Sequence, residues 1–160
     1  MAVSEIASQN ERLKLIIYGE GAMRSALESL IQELKLTERV FLPGTVKDIE
    51  AALYQADLFV FPSHYEGFPN ALCEAMAVGL PVIASNCSGT IDIIRDGVDG
   101  RLFPIGDVHQ LTVLLKELIE DAAQRVTLSK GALSLPDRFS EASIFKLWDD
   151  VLAKAVLTKS

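Results

Sequence analysis

The sequence predicts an α/β fold, a Rossmann-like parallel sheet flanked by helices. Three observations lead there. Short, nearly continuous apolar runs, among them Leu13–Tyr18 and Leu58–Phe61, alternate with segments of helical periodicity. The runs are apolar at successive rather than alternate positions, as in parallel strands covered on both faces. The links between them are rich in glycine, serine and proline, at Gly19–Gly21, Pro43–Val46, Ser63–Pro69 and Ser85–Thr90, as expected at strand-to-helix junctions.

Taken in order, residues 1–10 read as the tail of a helix, with Val3, Ile6 and Ala7 on one face. Leu13 to Tyr18 is the first strand, ended by Gly19-Glu20-Gly21. A helix from about Ala22 to Leu36 carries Met23, Leu27, Leu30, Ile31 and Leu34 at helical spacing. Val40 to Leu42 is a short strand closed by Pro43-Gly44. A helix from Asp48 to Gln55 turns Ile49, Ala52 and Leu53 inward, and the strand Leu58–Phe61 follows. The next helix has Pro69 in its first turn and is stopped by Gly79 and Pro81. Pro81 to Ala84 is a buried strand, Ile91 to Arg95 a helical turn broken by Asp96-Gly97, and Arg101 to Phe103 the last strand. Asp107 caps a helix to about Glu120, bearing Leu111, Leu114, Leu115 and Leu118. A helix over Ala122 to Leu133 precedes a final one from Ser140 to Leu157, whose apolar stripe is Ile144, Phe145, Trp148 and Leu152.

The 160 residues suffice for one domain with a sizeable core, and the reading is a single domain over 1–160. A net charge of −7 argues against a nucleic-acid partner and against a basic membrane-binding face. No apolar run reaches the length of a membrane span, and residues 1–10 have no signal-peptide pattern. Cys73 and Cys87, without a secretory signal, read as free thiols of a cytoplasmic protein. No Cys/His cluster has metal-ligand spacing, since His64 and His109 lie far apart.

Function concentrates between Phe61 and Ile94. From Gly67 to Ile91 the only charged residue is Glu74, on a helix apolar nearly all round, which predicts a buried carboxylate in need of a partner or ligand. Glu66 stands in the loop before that helix. On the residues alone two accounts are open. Glu66 is a solvated loop residue and Glu74 a satisfied core acid, or both face a ligand at the helix N-terminus, where free N–H groups and the dipole favour phosphate. Each glycine-rich loop read singly is an ordinary tight turn. Four on one edge, at the strands' carboxyl ends beside two glutamates, describe a pocket.

The run Glu66-Gly67-Phe68-Pro69, then Glu74-Ala75-Met76-Ala77, Gly79 and Pro81-Val82-Ile83-Ala84, resembles the donor-binding signature of retaining glycosyltransferases of the GT-B fold, group 1 (family 4), with its two glutamates eight positions apart. The resemblance extends from the Leu13–Gly21 strand and loop to the final helix and is to the C-terminal, donor-binding half of such an enzyme. It implies that Glu66 contacts the hydroxyls of the transferred sugar, the catalytic position. It implies that Glu74 holds the ribose hydroxyls and that N–H groups near Gly67, Phe68 and Asn70, the successor of Pro69, face the diphosphate, with Pro69 itself part of the donor loop. Gly44 and Thr45 would lie near the base, and Gly19, Gly21 and the Ser88-Gly89-Thr90 turn would complete the donor site. The donor would be a nucleotide-sugar, UDP- or GDP-linked, with no cofactor and no metal.

Two departures qualify this. The family's N-terminal acceptor-binding domain has no counterpart here, so a glycan or lipid-linked acceptor would be held by that missing domain or by a partner chain. The family's first donor-domain strand, and the Arg and Lys that follow it, also have no counterpart. Their absence predicts weak donor binding and leaves Leu13–Tyr18 and Leu58–Phe61 either with unpaired edges or drawn together. Two alternatives remain: a non-catalytic nucleotide-sugar binding or scaffold subunit, and a generic dinucleotide-type binder. Gly19-Glu20-Gly21-Ala22-Met23-Arg24 fails the glycine pattern of the latter at its last position.

Overall fold

The computed structural model describes residues 2–157, with side-chain surroundings described to residue 154. The elements run α1 (Ala2–Ala7), β1 (Leu15–Tyr18), α2 (Arg24–Glu33), β2 (Val40–Gly44), α3 (Ile49–Leu53), β3 (Phe59–Phe61), α4 (Asn70–Ala77), β4 (Val82–Ser85), α5 (Ser88–Ile91), β5 (Arg101–Phe103), α6 (Val108–Glu120), α7 (Ala122–Ala132), α8 (Leu135–Arg138) and α9 (Glu141–Leu157). Every strand pairing is parallel, as the apolar runs predicted.

The strands form two sheets, β1-β2 and β3-β4-β5. Register runs Leu15 to Val40 and Ile16 to Phe41 in the first, with an irregularity before Tyr18 pairs with Gly44. In the second, Phe59–Phe61 pair with Val82–Ala84, and Ile83–Ser85 with Arg101–Phe103. Among the described residues β1 pairs only with β2 and β3 only with β4. Of the two expected outcomes, the unpaired edge is the one observed. Leu13, just ahead of β1, and Leu58 and Val60 around β3 nonetheless pack on one shared cluster.

Strand β4 is the centre of the core and is buried throughout. Its alternation sorts two clusters. Val82 and Ala84 face Leu72, Ala75 and Met76 of α4 with Ile93 and Leu135, while Ile83 faces Phe103, Leu114, Leu118 and Leu128 with Ala2 and Ile6 of α1. The helix starts are chemically simple: Asp48, Asp107 and Asp121 accept from the N–H three residues on, at 2.8–2.9 Å. Helix α4 ends in paired reverse bonds, Gly79 N–H to Met76 O at 2.9 Å and Leu80 N–H to Ala75 O at 3.0 Å, with Gly79 at φ +79°.

Burial departs from expectation at the periphery. Strand β1 is apolar yet exposed, with Ile16, Ile17 and Tyr18 all open to solvent, because among the described residues nothing pairs with its second edge or covers both its faces. Helix α2 buries no residue fully, and Phe145, Trp148 and Leu152 of α9 are exposed, so the apolar stripes of these helices are not core. The helical turn expected over Ile91–Arg95 lies earlier, at Ser88–Ile91, and α8 was not foreseen.

Candidate functional site

Glu66 is held from below by a chain of hydroxyls. Strand β3 delivers the chain to Ser63, whose Oγ donates to Glu66 Oε1 at 2.9 Å. The Ser63 carbonyl accepts from Ser85 Oγ at the end of β4, and the Ser85 carbonyl accepts from Thr90 Oγ1. Ser88 Oγ donates to the Glu66 carbonyl at 3.2 Å. Gly89 fits beneath the same loop so closely that a Cβ there would sit 2.7 Å from the Glu66 carbonyl oxygen. The α5 turn is therefore a shelf on which the Glu66 loop rests. Ser63 engages one carboxylate oxygen; a carboxylate accepts several bonds, which leaves capacity for the hydroxyls of a ligand.

Beyond Glu66 the loop runs into the start of α4. Gly67 and Phe68 are exposed, Pro69 is buried at the helix entry, and Asn70 is exposed. The Asn70 N–H donates to Phe68 O at 3.1 Å, so this N–H is engaged within the loop rather than offered to a phosphate. Glu74 corrects the sequence reading: it is exposed, not buried. Only Leu72, Ala75 and Met76 of α4 are fully buried. Asn70, Ala71, Glu74 and Ala77 share the opposite, exposed face. The apolar residues on that face are alanines, too small to signal that it is open. They leave Glu74 accessible from solvent, as a ligand contact requires. Burial, with the Glu74 charge as a smaller contribution, pushes the neighbouring Cys73 thiol up from its ordinary value.

Gly19, Gly21, Gly44 and Thr45 form a second group, at the carboxyl ends of β1 and β2. Gly19 adopts φ +121° and donates to the Gly44 carbonyl at 2.8 Å; Gly44 adopts φ +86°. A Cβ on Gly44 would meet Glu20 Oε1 at 2.5 Å. Arg24 locks this corner, bonding Glu20 and Glu28 at 3.0 Å each and the Leu42 carbonyl at 2.7 Å. A cavity of about 190 Å³ opens here, lined by Tyr18, Gly19, Gly21, Met23, Arg24 and Leu42 among others. Thr45 and Ser88 are exposed. Thr90, in contrast, is fully buried and its hydroxyl is spent on the Ser85 and Cys87 carbonyls, so its side chain braces the loop instead of facing a ligand.

Sequence reasoning missed Ser63 and Ser85. The signal was a serine just past the end of one apolar strand and another at the end of the next, places where a hydroxyl can join adjacent loops. Among the described residues no group of three or more His, Cys, Asp and Glu could hold a metal ion.

A parallel α/β domain with glycine turns and accessible carboxylates at the strands' carboxyl edge has the Rossmann-like architecture, in which ligands bind beyond the carboxyl ends of the strands. Residues 1–134 match the family model for glycosyl transferases group 1, and the chain belongs to that family. It is 31% identical over 143 residues to the capsular polysaccharide biosynthesis glycosyltransferase CapM of Staphylococcus aureus, covering 88% of this chain and 38% of that protein. It is 34% identical over 145 residues to an exopolysaccharide phosphotransferase of Streptomyces coelicolor, covering 89% of this chain and 15% of that protein. The crystal structure of Anabaena HepE in complex with UDP-glucose superposes with a TM-score of 0.82 at 26% identity, over 96% of this chain and 44% of that one. The chain thus spans less than half the length of each of these relatives.

Proposed function

We propose that this chain is the donor-sugar half of a retaining glycosyltransferase acting in the cytoplasm. It binds a nucleotide-diphospho-sugar, UDP- or GDP-linked, and needs neither cofactor nor metal. Glu66 contacts the transferred sugar, Glu74 the ribose, and Gly44 and Thr45 the base. The N–H groups around Gly67 and the first turn of α4, with the positive end of its dipole, stabilise the diphosphate as it leaves. The acceptor, a glycan or a lipid-linked glycan, is held by a separate domain or partner chain. The observation that carries this reading is the Glu66 loop, fixed by Ser63, Ser88 and Gly89 at the strands' carboxyl edge while Glu66 keeps bonding capacity. The likeness to HepE, crystallised with UDP-glucose, supports the choice of donor class.

A second reading is a non-catalytic nucleotide-sugar binding or scaffold subunit. It is favoured by the match to a protein named as a phosphotransferase, of which this domain is only 15%. The test joins the chain to an acceptor domain of the same family and follows radiolabelled sugar transfer. Transfer abolished by Glu66→Ala supports the enzymatic reading. Donor binding without transfer in any such pairing supports the scaffold.

A further inference from the structure

Asp99 lies outside the site described so far and is fully buried, 0% exposed. Buried carboxylates persist only when paired and bonded, and this one is satisfied three times. Oδ1 accepts from the Arg95 N–H at 2.7 Å, and Oδ2 accepts from Arg95 Nε at 2.6 Å and from Arg138 Nη1 at 2.9 Å. The other arm of Arg138 donates to the Ile93 carbonyl at 2.9 Å. Arg138, the last residue of α8, is thereby clamped to the chain ahead of β5, and its guanidinium carbon stands 5.6 Å from the ring centre of Phe139.

Phe139 meets Phe68 edge-on, with ring centres 6.1 Å apart and planes at 70°. Phe68 needs that contact. It is a large apolar side chain, 55% exposed, beside a glycine with open space around it. The hydroxyl shelf fixes Glu66, and the ring contact fixes the other end of the same loop. We infer that Phe139 is a positioning residue for the Glu66–Asn70 loop, itself set by the Asp99–Arg138 pair. The inference rests on reading that loop as the donor loop. Three segments distant in sequence, the Asp99 turn, the α8 end and the loop, then act as one support. The donor loop depends on a residue that touches no donor.

Hydrogen exchange on the full chain, followed by mass spectrometry, tests this without any ligand. In Phe139→Ala the amides of Glu66–Ala71 should exchange about two- to tenfold faster than in wild type, the range expected for one aromatic pair. Phe139 also packs on the cluster of Leu72, Val82 and Ala84, so the reference is α6 in the other cluster. The amides of α6 should keep their rates while those of β4 rise less than the loop's, and Phe139→Tyr should restore the loop. Phe145→Ala, on the exposed face of α9, serves as control. Unchanged loop exchange in Phe139→Ala overturns the inference. So does a rise shared equally by β4 and α6, which would mean general destabilisation. If Phe139→Ala does not fold, Phe139→Leu decides by the same comparison. A second arm adds UDP and GDP to wild type: protection of the loop by neither counts against the donor-site reading, while the comparison of unliganded variants still decides the role of Phe139.

Discussion

Gly89→Ala puts one methyl group into the shelf beneath Glu66. The new carbon would lie 2.7 Å from the Glu66 carbonyl oxygen, 3.0 Å from that of Gly67 and 3.1 Å from the Glu66 carbonyl carbon. All three are backbone atoms, so no side chain can rotate away. Relief requires the loop to lift by about 0.5 Å or more toward ordinary contact distance. Overpacking of this kind costs about 1–3 kcal/mol. The loss of unfolded-chain entropy on replacing glycine returns about 0.4–1 kcal/mol of that. In a domain of this size each kcal/mol is about 2–4 °C, so a fall of several degrees in Tm is expected. Gly67→Ala is the internal control, since nothing lies within 4 Å of a Cβ there and its φ is unstrained. Urea unfolding of the three proteins should place Gly89→Ala below wild type and Gly67→Ala level with it or above. A Gly89→Ala protein as stable as Gly67→Ala would refute the claim that α5 supports the Glu66 loop through backbone contact.

Glu74→Gln should leave unfolding within about 0.5 kcal/mol of wild type, because the carboxylate is exposed, and a larger loss by urea titration would show that Glu74 is structural. Cys73 should alkylate slowly with iodoacetamide near neutral pH, and faster in Glu74→Gln, since removing that charge lowers the thiol back toward its ordinary value; equal rates would contradict the coupling. Glu117, held below its ordinary value by Gln124 and Arg101, contributes stability above its unfolded range that is lost as pH falls, so Glu117→Gln should flatten the acid side of the stability profile. The unpaired, apolar β1 edge should drive self-association, and Ile16→Lys should lower concentration-dependent light scattering.

Strands, their parallel pairing and the buried β4 were legible because apolar runs leave no polar alternative for the backbone. Asp48 and Asp107 were legible as helix starts because a carboxylate at that position accepts a free N–H of the first turn, a purely local effect. What failed was burial that depends on neighbours. Leu15–Tyr18 has the composition of a core strand but lies exposed at an unpaired edge. The α4 sequence reads as apolar all round because its open face is built from alanines around Glu74. The site divided along the same line. Glu66 and its glycine-rich setting follow from motif and position. The bonds of Ser85 to Ser63 and of Arg138 to Asp99, and the Phe139–Phe68 contact, join segments that only the fold brings near, whereas Ser63 bonds Glu66 and Asp99 bonds Arg95 within one turn of chain.

The most direct test of the donor-site assignment is calorimetric titration of wild type, Glu66→Ala and Glu74→Gln. The titrants are UDP, GDP and the matching nucleotide sugars. Binding to the isolated chain should be weak, about millimolar to high micromolar in Kd. The account predicts that Glu74→Gln weakens the free nucleotide and its sugar-linked form alike, by about tenfold. Glu66→Ala should leave the free nucleotide unchanged and remove whatever affinity the sugar adds. Equal binding of all titrants by all three proteins, or no binding of any nucleotide by wild type, would contradict it.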